Sequence, residues 1–256
     1  LAKTTHHDEI PLGPPTHIGI GVVAPHDMAL DAELWRWAPP AASLFFARTP
    51  FDPLPVTLEM VESLGDETGI RSTVQQLMTI APSVYAYACT SGSFANGRAG
   101  ERAVAAALMS AGGAPAVTAS GAIVSALGHL GVNRVAIATP YDAEITIRLQ
   151  DFLIESSVAV TGIAHLGMDA NMWTVPYRRT AELIRLADSP DAQAIVVSCT
   201  NLPTYDLIAP LERELGKPII SANQATMWAA LALCDLPAVG PGQRLLARPR
   251  PTERDQ

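Results

Sequence analysis

Two of the three cysteines in this 256-residue chain occupy matching places. Cys89 ends the apolar run in "VYAYACTSGSF" (84–94), and Cys199 ends the run in "AIVVSCTNLPTYD" (194–206). Each is followed at once by a threonine, and each apolar run reads as a buried strand. A thiolate is a strong nucleophile and a thiol is a usable acid, so two of them flanking one cleft can address opposite faces of a small molecule. A strand end that runs into a helix or tight turn also offers free backbone N–H groups. Such groups hold a carboxylate and are expected to lower a thiol's pKa. Neither corner carries an arginine, so anion binding is expected from amides and hydroxyls.

Composition removes several other kinds of function. A net charge of −8 with no Lys/Arg cluster argues against a nucleic-acid partner, which requires a basic face to displace counterions. Three cysteines form an odd count with no C-x-x-C pair, so neither a disulfide framework nor a structural metal is indicated. Reduced thiols in a cytoplasm fit that pattern. No apolar run reaches the ~18 residues of a membrane span, and the first residues lack a signal-peptide core. Residues 1–16 read as a flexible N-terminal arm, with His6 and His7 part of a polar tail. There is no G-x-G-x-x-G or P-loop, so no nucleotide cofactor is expected. Apolar residues at 48% are enough for a full core.

The elements that must position the thiols follow from the alternation of short β-rich runs with helical patterns, which predicts α/β architecture with parallel sheets flanked by helices. Strands are expected at 17–24, 43–48, 84–89, 114–119, 134–139, 157–166, 194–199 and 217–222. Helices are expected at 28–37, 56–79, 99–111, 120–130, 142–155, 176–188, 204–215 and 224–233. The strands are continuously apolar, so both sheet faces should be covered. An internal repeat is visible as well. Pro25 pairs with Pro140, Cys89 with Cys199 and Pro115 with Pro218, in the same order and at similar spacing. Two copies of one βα unit, related by a pseudo-two-fold axis, would turn both Cys-Thr corners and both Pro-x-Asp corners toward one cleft beyond the carboxyl ends of the strands.

The motifs "ACTSGSF", "TPYD", "SCTNLPTYD" and "LGKPIISANQATMWAAL" resemble the aspartate/glutamate racemase superfamily, in the branch of maleate cis–trans isomerase and arylmalonate decarboxylase. The resemblance runs from about 17 to 240. It implies a cofactor-independent enzyme with no metal, two subdomains and a small carboxylate substrate. The division it implies is 17–115 with 224–250 as the first subdomain and 116–223 as the second. It makes Cys89 and Cys199 the catalytic pair, Thr90 and Ser91 the carboxylate cradle, Tyr141 a cleft residue, and Asn171 the counterpart of an isomerase asparagine. Arylmalonate decarboxylase has glycine at the position matching Cys89, so the presence of both thiols favours an isomerase or racemase. A one-sided decarboxylase and a non-catalytic binding module are the alternatives, and a homo-oligomer is compatible with either.

Thr200 and Asn201 are expected to join Thr90 and Ser91 in holding a developing enediolate. Where maleate isomerases carry Pro-Ser-Ser-Asn, this chain has Pro25-His26-Asp27. An ionised aspartate repels a carboxylate that an amide would bind. Asp27 and Asp142 are expected as helix caps, with a substrate-facing Asp27 as the other reading and His26 as a replacement donor. Cys234, His129, Trp35, Trp37 and Trp173 read as structural residues, and His165 as a side chain able to line the cleft.

Overall fold

The computed structural model describes residues 17–247. The first half runs β1 (Ile18–Ala24), α1 (Asp31–Trp35), β2 (Ala42–Arg48), α2 (Leu58–Leu64), α3 (Glu67–Leu77), β3 (Val84–Tyr87), α4 (Thr90–Phe94), α5 (Gly97–Gly112), β4 (Ala116–Thr118) and α6 (Ala119–Leu130). The second half runs β5 (Arg134–Thr139), α7 (Ala143–Glu155), β6 (Ala159–His165), α8 (Tyr177–Ala187), β7 (Ala194–Val197), α9 (Tyr205–Leu215), β8 (Ile219–Ser221) and α10 (Ala222–Ala232), and then α11 (Arg244–Ala247). Two four-stranded sheets result, ordered β2-β1-β3-β4 and β6-β5-β7-β8, and all pairings are parallel.

The halves match bond for bond where it counts. Ala88 N–H donates to Val23 at 2.8 Å and Ser198 N–H to Ala138 at 3.0 Å, so both thiol-bearing corners are tied to the neighbouring first strand of their sheet. Tyr85 and Ile195 N–H groups donate to the carbonyls of Pro115 and Pro218, both at 2.9 Å. The paired prolines of the repeat thus hold equivalent register positions.

Strands β3 and β7 are buried along their whole length, as expected for central strands covered on both faces. Edge strand β6 departs from that expectation: most of its residues reach solvent to some degree, and Ile163 and His165 are exposed. His165 therefore sits on an open edge, not in the cleft. The helical pattern across 56–79 is cut in two. Gly65 ends α2, and Asp66 caps α3 by accepting from Gly69 N–H at 2.9 Å. A cap plus glycine outweighs an apolar pattern that continues across them. Helix α1 is half the expected length, and α4 and α11 were not anticipated.

The division at 115/116 would separate β4 from β3, to which it is hydrogen-bonded; the sheets divide instead after α6. Helix α10 returns to pack on α6, β3 and β4, whereas α11 lies against β8. His6 and His7 lie outside the described residues. Among the described residues no helix is long and apolar enough to cross a membrane.

Candidate active site

In each half the chain leaves the first and third strands, which are sheet neighbours, from their carboxyl ends, and a crevice opens between the two connections. The first half contributes the Pro25–Asp27 loop after β1 and Cys89 after β3. The second contributes Tyr141 after β5 and Cys199 after β7. All of these line one cavity.

Cys89 is the N-cap of α4, its Sγ accepting from Gly92 N–H at 3.4 Å with Ser91 Oγ 3.8 Å away. Only glycine fits at 92. A Cβ there would stand 2.7 Å from the Tyr87 hydroxyl and 3.1 Å from the Cys89 sulfur. That hydroxyl is itself fixed by a 2.6 Å bond to the Leu64 carbonyl. Cys199 has a backbone φ of 99°, a value that side-chain-bearing residues seldom adopt. Its Sγ accepts from Asn201 N–H at 3.3 Å, lies 3.9 Å from Met172 Sδ, and is bonded by the Tyr141 hydroxyl.

Both cysteines are buried free thiols. Burial pushes Cys89 up to about 11, against the pull of the Gly92 N–H, and Asp27 adds to the rise. Burial likewise pushes Cys199 up to about 12, against bonds from Tyr141 and Asn201 N–H. The expected lowering by helix and turn amides is therefore overturned in this closed state: loss of water costs the thiolate more than two N–H groups return. Burial, followed by the proximity of both sulfurs, also raises Tyr141, so its hydroxyl keeps its proton and acts as a donor.

The anticipated carboxylate cradle divides into two sets. Thr90 Oγ1 is buried without a hydrogen-bond partner and lines the cavity beside Ser91, so these two residues are open to a ligand. Thr200 Oγ1 is committed to the Ala88 carbonyl across the two halves at 2.9 Å. The Asn201 side chain is committed as well, accepting from Ala29 N–H at 2.9 Å and donating to the Asp27 carbonyl at 3.0 Å. Thr200 and Asn201 line the cavity, but these polar side-chain groups brace the loop instead of waiting for substrate. Asn171, with a left-handed φ of 54°, lines an outer chamber of about 230 Å³ together with His26, Asp27, Asp169 and Trp173. Its neighbour Met172, not Asn171, reaches the thiol cavity.

Asp142 caps α7 by accepting from Ile145 N–H at 2.9 Å. Asp27 caps nothing, because α1 begins at Asp31 and makes no side-chain cap bond. His26 Nδ1 is buried without a partner, and its ring meets Phe51 edge-on at 5.4 Å. Three residues read as structural are so: Trp37 Nε1 donates to Gln243, Cys234 is half-buried, and the His129 ring packs on Trp228.

Sequence reasoning missed the apolar wall and the brace. Val56, Met60, Leu64 and Met172 close the cavity opposite the polar corners, and Val56 N–H is latched to the Asp169 carbonyl at 2.8 Å. The free space left between the thiols is about 20 Å³, room for one water. Glu33, buried and with its carboxyl pushed up by burial, accepts from Thr204 N–H at 3.1 Å and Thr204 Oγ1 at 2.7 Å. Asn223 Nδ2, 3.5 Å from the same carboxylate, donates to the Thr200 carbonyl at 2.9 Å. Glu33 on the first half thereby holds the Cys199 loop of the second. A glutamate at the buried face of "DAELW" was the signal available. A larger cavity of about 330 Å³, lined by Arg98, Glu101 and Phe152, contains no thiol.

The chain is similar in sequence and fold to known proteins. A sequence model of the family described as arylmalonate decarboxylase matches residues 37–247. Arylmalonate decarboxylase of Bordetella bronchiseptica is 34% identical over 210 residues, covering 76% of this chain and 87% of that one. Maleate isomerase of Nocardia farcinica is 29% identical, over 68% of this chain and 73% of its own. A liganded arylmalonate decarboxylase structure, with one glycine changed to cysteine and one cysteine to serine, superposes with a TM-score of 0.82 at 30% identity over 90% of this chain and 98% of that one. A cysteine-to-serine mutant of the Nocardia farcinica isomerase, carrying a covalently bound succinylcysteine intermediate, superposes at 0.79 with 26% identity over the same shares. The protein is thus an enzyme of the two-sheet, cysteine-dependent isomerase and decarboxylase class. The chain belongs to the arylmalonate decarboxylase family, in the branch that includes the maleate isomerases.

Proposed function

We propose that this enzyme is a cofactor-independent isomerase or racemase of a small carboxylic acid, with Cys89 and Cys199 as its paired reactive groups. The observation that carries the reading is that both thiols line one cavity, with Tyr141 bonded to one of them. The substrate carboxylate is placed at the unpartnered Thr90 hydroxyl and its neighbour Ser91, whose hydroxyl also reaches the Cys89 sulfur. In a racemisation, one sulfur as thiolate takes the proton on the carbon next to the carboxylate. The electron pair moves into an enediolate, and the other sulfur as thiol returns a proton to the opposite face. In a cis–trans isomerisation, a Cys89 thiolate adds to the double bond, the new single bond rotates, and elimination returns the thiolate. The covalent succinylcysteine of the Nocardia farcinica relative supports that route. Three free cysteines fit a cytoplasmic setting.

Decarboxylation is the second reading. The apolar wall of Val56, Met60, Leu64 and Met172 favours it, since such a wall suits an apolar substituent and desolvates a leaving carboxylate. The test is a panel of cis-alkene diacids, single-enantiomer acids and substituted malonates assayed in D₂O after dialysis against a chelator. Turnover with deuterium entering at the reacting carbon is expected for the acids. Carbon dioxide release from malonates alone would move the assignment to decarboxylase.

A further inference from the structure

Resting on the two-thiol reading above, we propose that Asp27 determines specificity by charge. It bars a second carboxylate from the mouth of the cleft and selects substrates that present an uncharged or hydrogen-bond-donating group there. Asp27 lines both the thiol cavity and the outer chamber, so its side chain stands where the two spaces adjoin. That carboxylate has no partner: no side-chain hydrogen bond and no ion pair engages it among the described residues, and its loop is held instead by the Asn201 side-chain amide, which donates to the Asp27 backbone carbonyl. No lysine or arginine lines either space, while Asp169 adds a second acidic residue to the outer chamber and His26 is the other titratable side chain there. Asp27 is exposed, so an anion approaching this mouth meets a solvated carboxylate whose repulsion is felt at short range and is damped by salt. Repulsion of the wrong charge is a direct route to discrimination between substrates of one shape. The matching aspartate of the second half, Asp142, is used up as a helix cap, so the charge acts from one side of the cleft only.

Iodoacetate and iodoacetamide are nearly equal in size and differ by a carboxylate against a neutral amide. Their alkylation rates at Cys89 and Cys199, mapped by peptide mass spectrometry in the full chain at one alkaline pH, give an amide-to-carboxylate ratio for each thiol. The fraction of thiolate cancels from that ratio. In Asp27→Asn at low ionic strength the ratio is expected to fall about threefold at both cleft thiols relative to the unaltered protein, with Cys234 unchanged as an internal reference. Asp27→Glu keeps the charge and should keep the high ratio. An unchanged ratio in Asp27→Asn overturns the proposal. So does an equal fall in Asp27→Glu, which would trace the effect to disturbed packing. The ratio is read without any turnover, so wild-type turnover in the serine variants of both thiols would remove the two-thiol reading and leave this measurement intact.

Discussion

The two halves share a strand order and a cysteine after the third strand, yet each half treats its cysteine differently. Cys89 sits in relaxed extended backbone, with φ −133°, as the cap of a short helix. Cys199 sits at φ 99° with no helix beginning until Tyr205, a strained position of the kind that costs about 1–3 kcal/mol. Its loop is braced by Glu33, Thr200 and Asn201 through bonds that all reach into the first half. The aspartates diverge in the same manner, Asp142 capping and Asp27 free. Duplication supplied two equivalent backbone corners, and the chemistry resides in how they ceased to be equivalent.

The largest effect expected is on the thiols themselves. Cys89→Ser and Cys199→Ser should each lower turnover by about 10²–10⁴-fold. They should differ in what remains: intact-mass analysis of Cys199→Ser with a cis-alkene diacid should find an adduct on Cys89, and Cys89→Ser should show none. Equal behaviour of the two variants would mean that the corners are chemically interchangeable. Next comes the brace. Glu33→Ala leaves the Thr204 N–H and hydroxyl buried without their acceptor, and a urea melt should show about 2–3 kcal/mol lost.

Tyr141→Phe removes the donor from Cys199 alone, so alkylation of Cys199 near pH 8 should slow by about tenfold while Cys89 keeps its rate. A comparable slowing at Cys89 would show that the hydroxyl serves both sulfurs. Stability should also depend on pH. Both folded thiols titrate above an ordinary thiol, so the unfolded chain releases its protons first, and their contribution is present at neutral pH and lost as pH rises from about 8.5 toward 11 and 12. The Tm should fall across that window, and fall less in the Cys89→Ser, Cys199→Ser double variant. The smallest effect separates the aspartates: Asp142→Ala should cost about 1 kcal/mol as a lost cap, and Asp27→Ala should leave the melting curve in place.

Much of this was legible in the sequence for a physical reason. Strands of a helix-covered parallel sheet carry apolar runs, so all eight were visible, and equivalent corners of a duplicated unit repeat their residues, which exposed Cys89 and Cys199, while Tyr141 came from the family resemblance. The failures share a cause too. The acceptor for the Thr200 hydroxyl is the Ala88 carbonyl, in the other half of the chain, and local pattern says nothing about which polar group meets which across such a gap. Asn171 was named from the family resemblance, and a match of residue type does not tell which of two loop neighbours, Asn171 or Met172, faces the thiols. The direction of the thiol shifts was missed because it is set by how deeply the sulfurs are covered, and the cover includes Val56, far from either cysteine in sequence.

The one-water space between the sulfurs and the Val56–Asp169 latch together bear on inhibition. Little free space lies beside the sulfurs at rest, so an inhibitor that fills it must carry the binding energy that moves the Val56 wall. Its association should therefore run well below the ~10⁵–10⁷ M⁻¹s⁻¹ common to open surfaces. Progress curves should bend as block develops slowly, and the same barrier would then hold the inhibitor in place long after the free compound is diluted away.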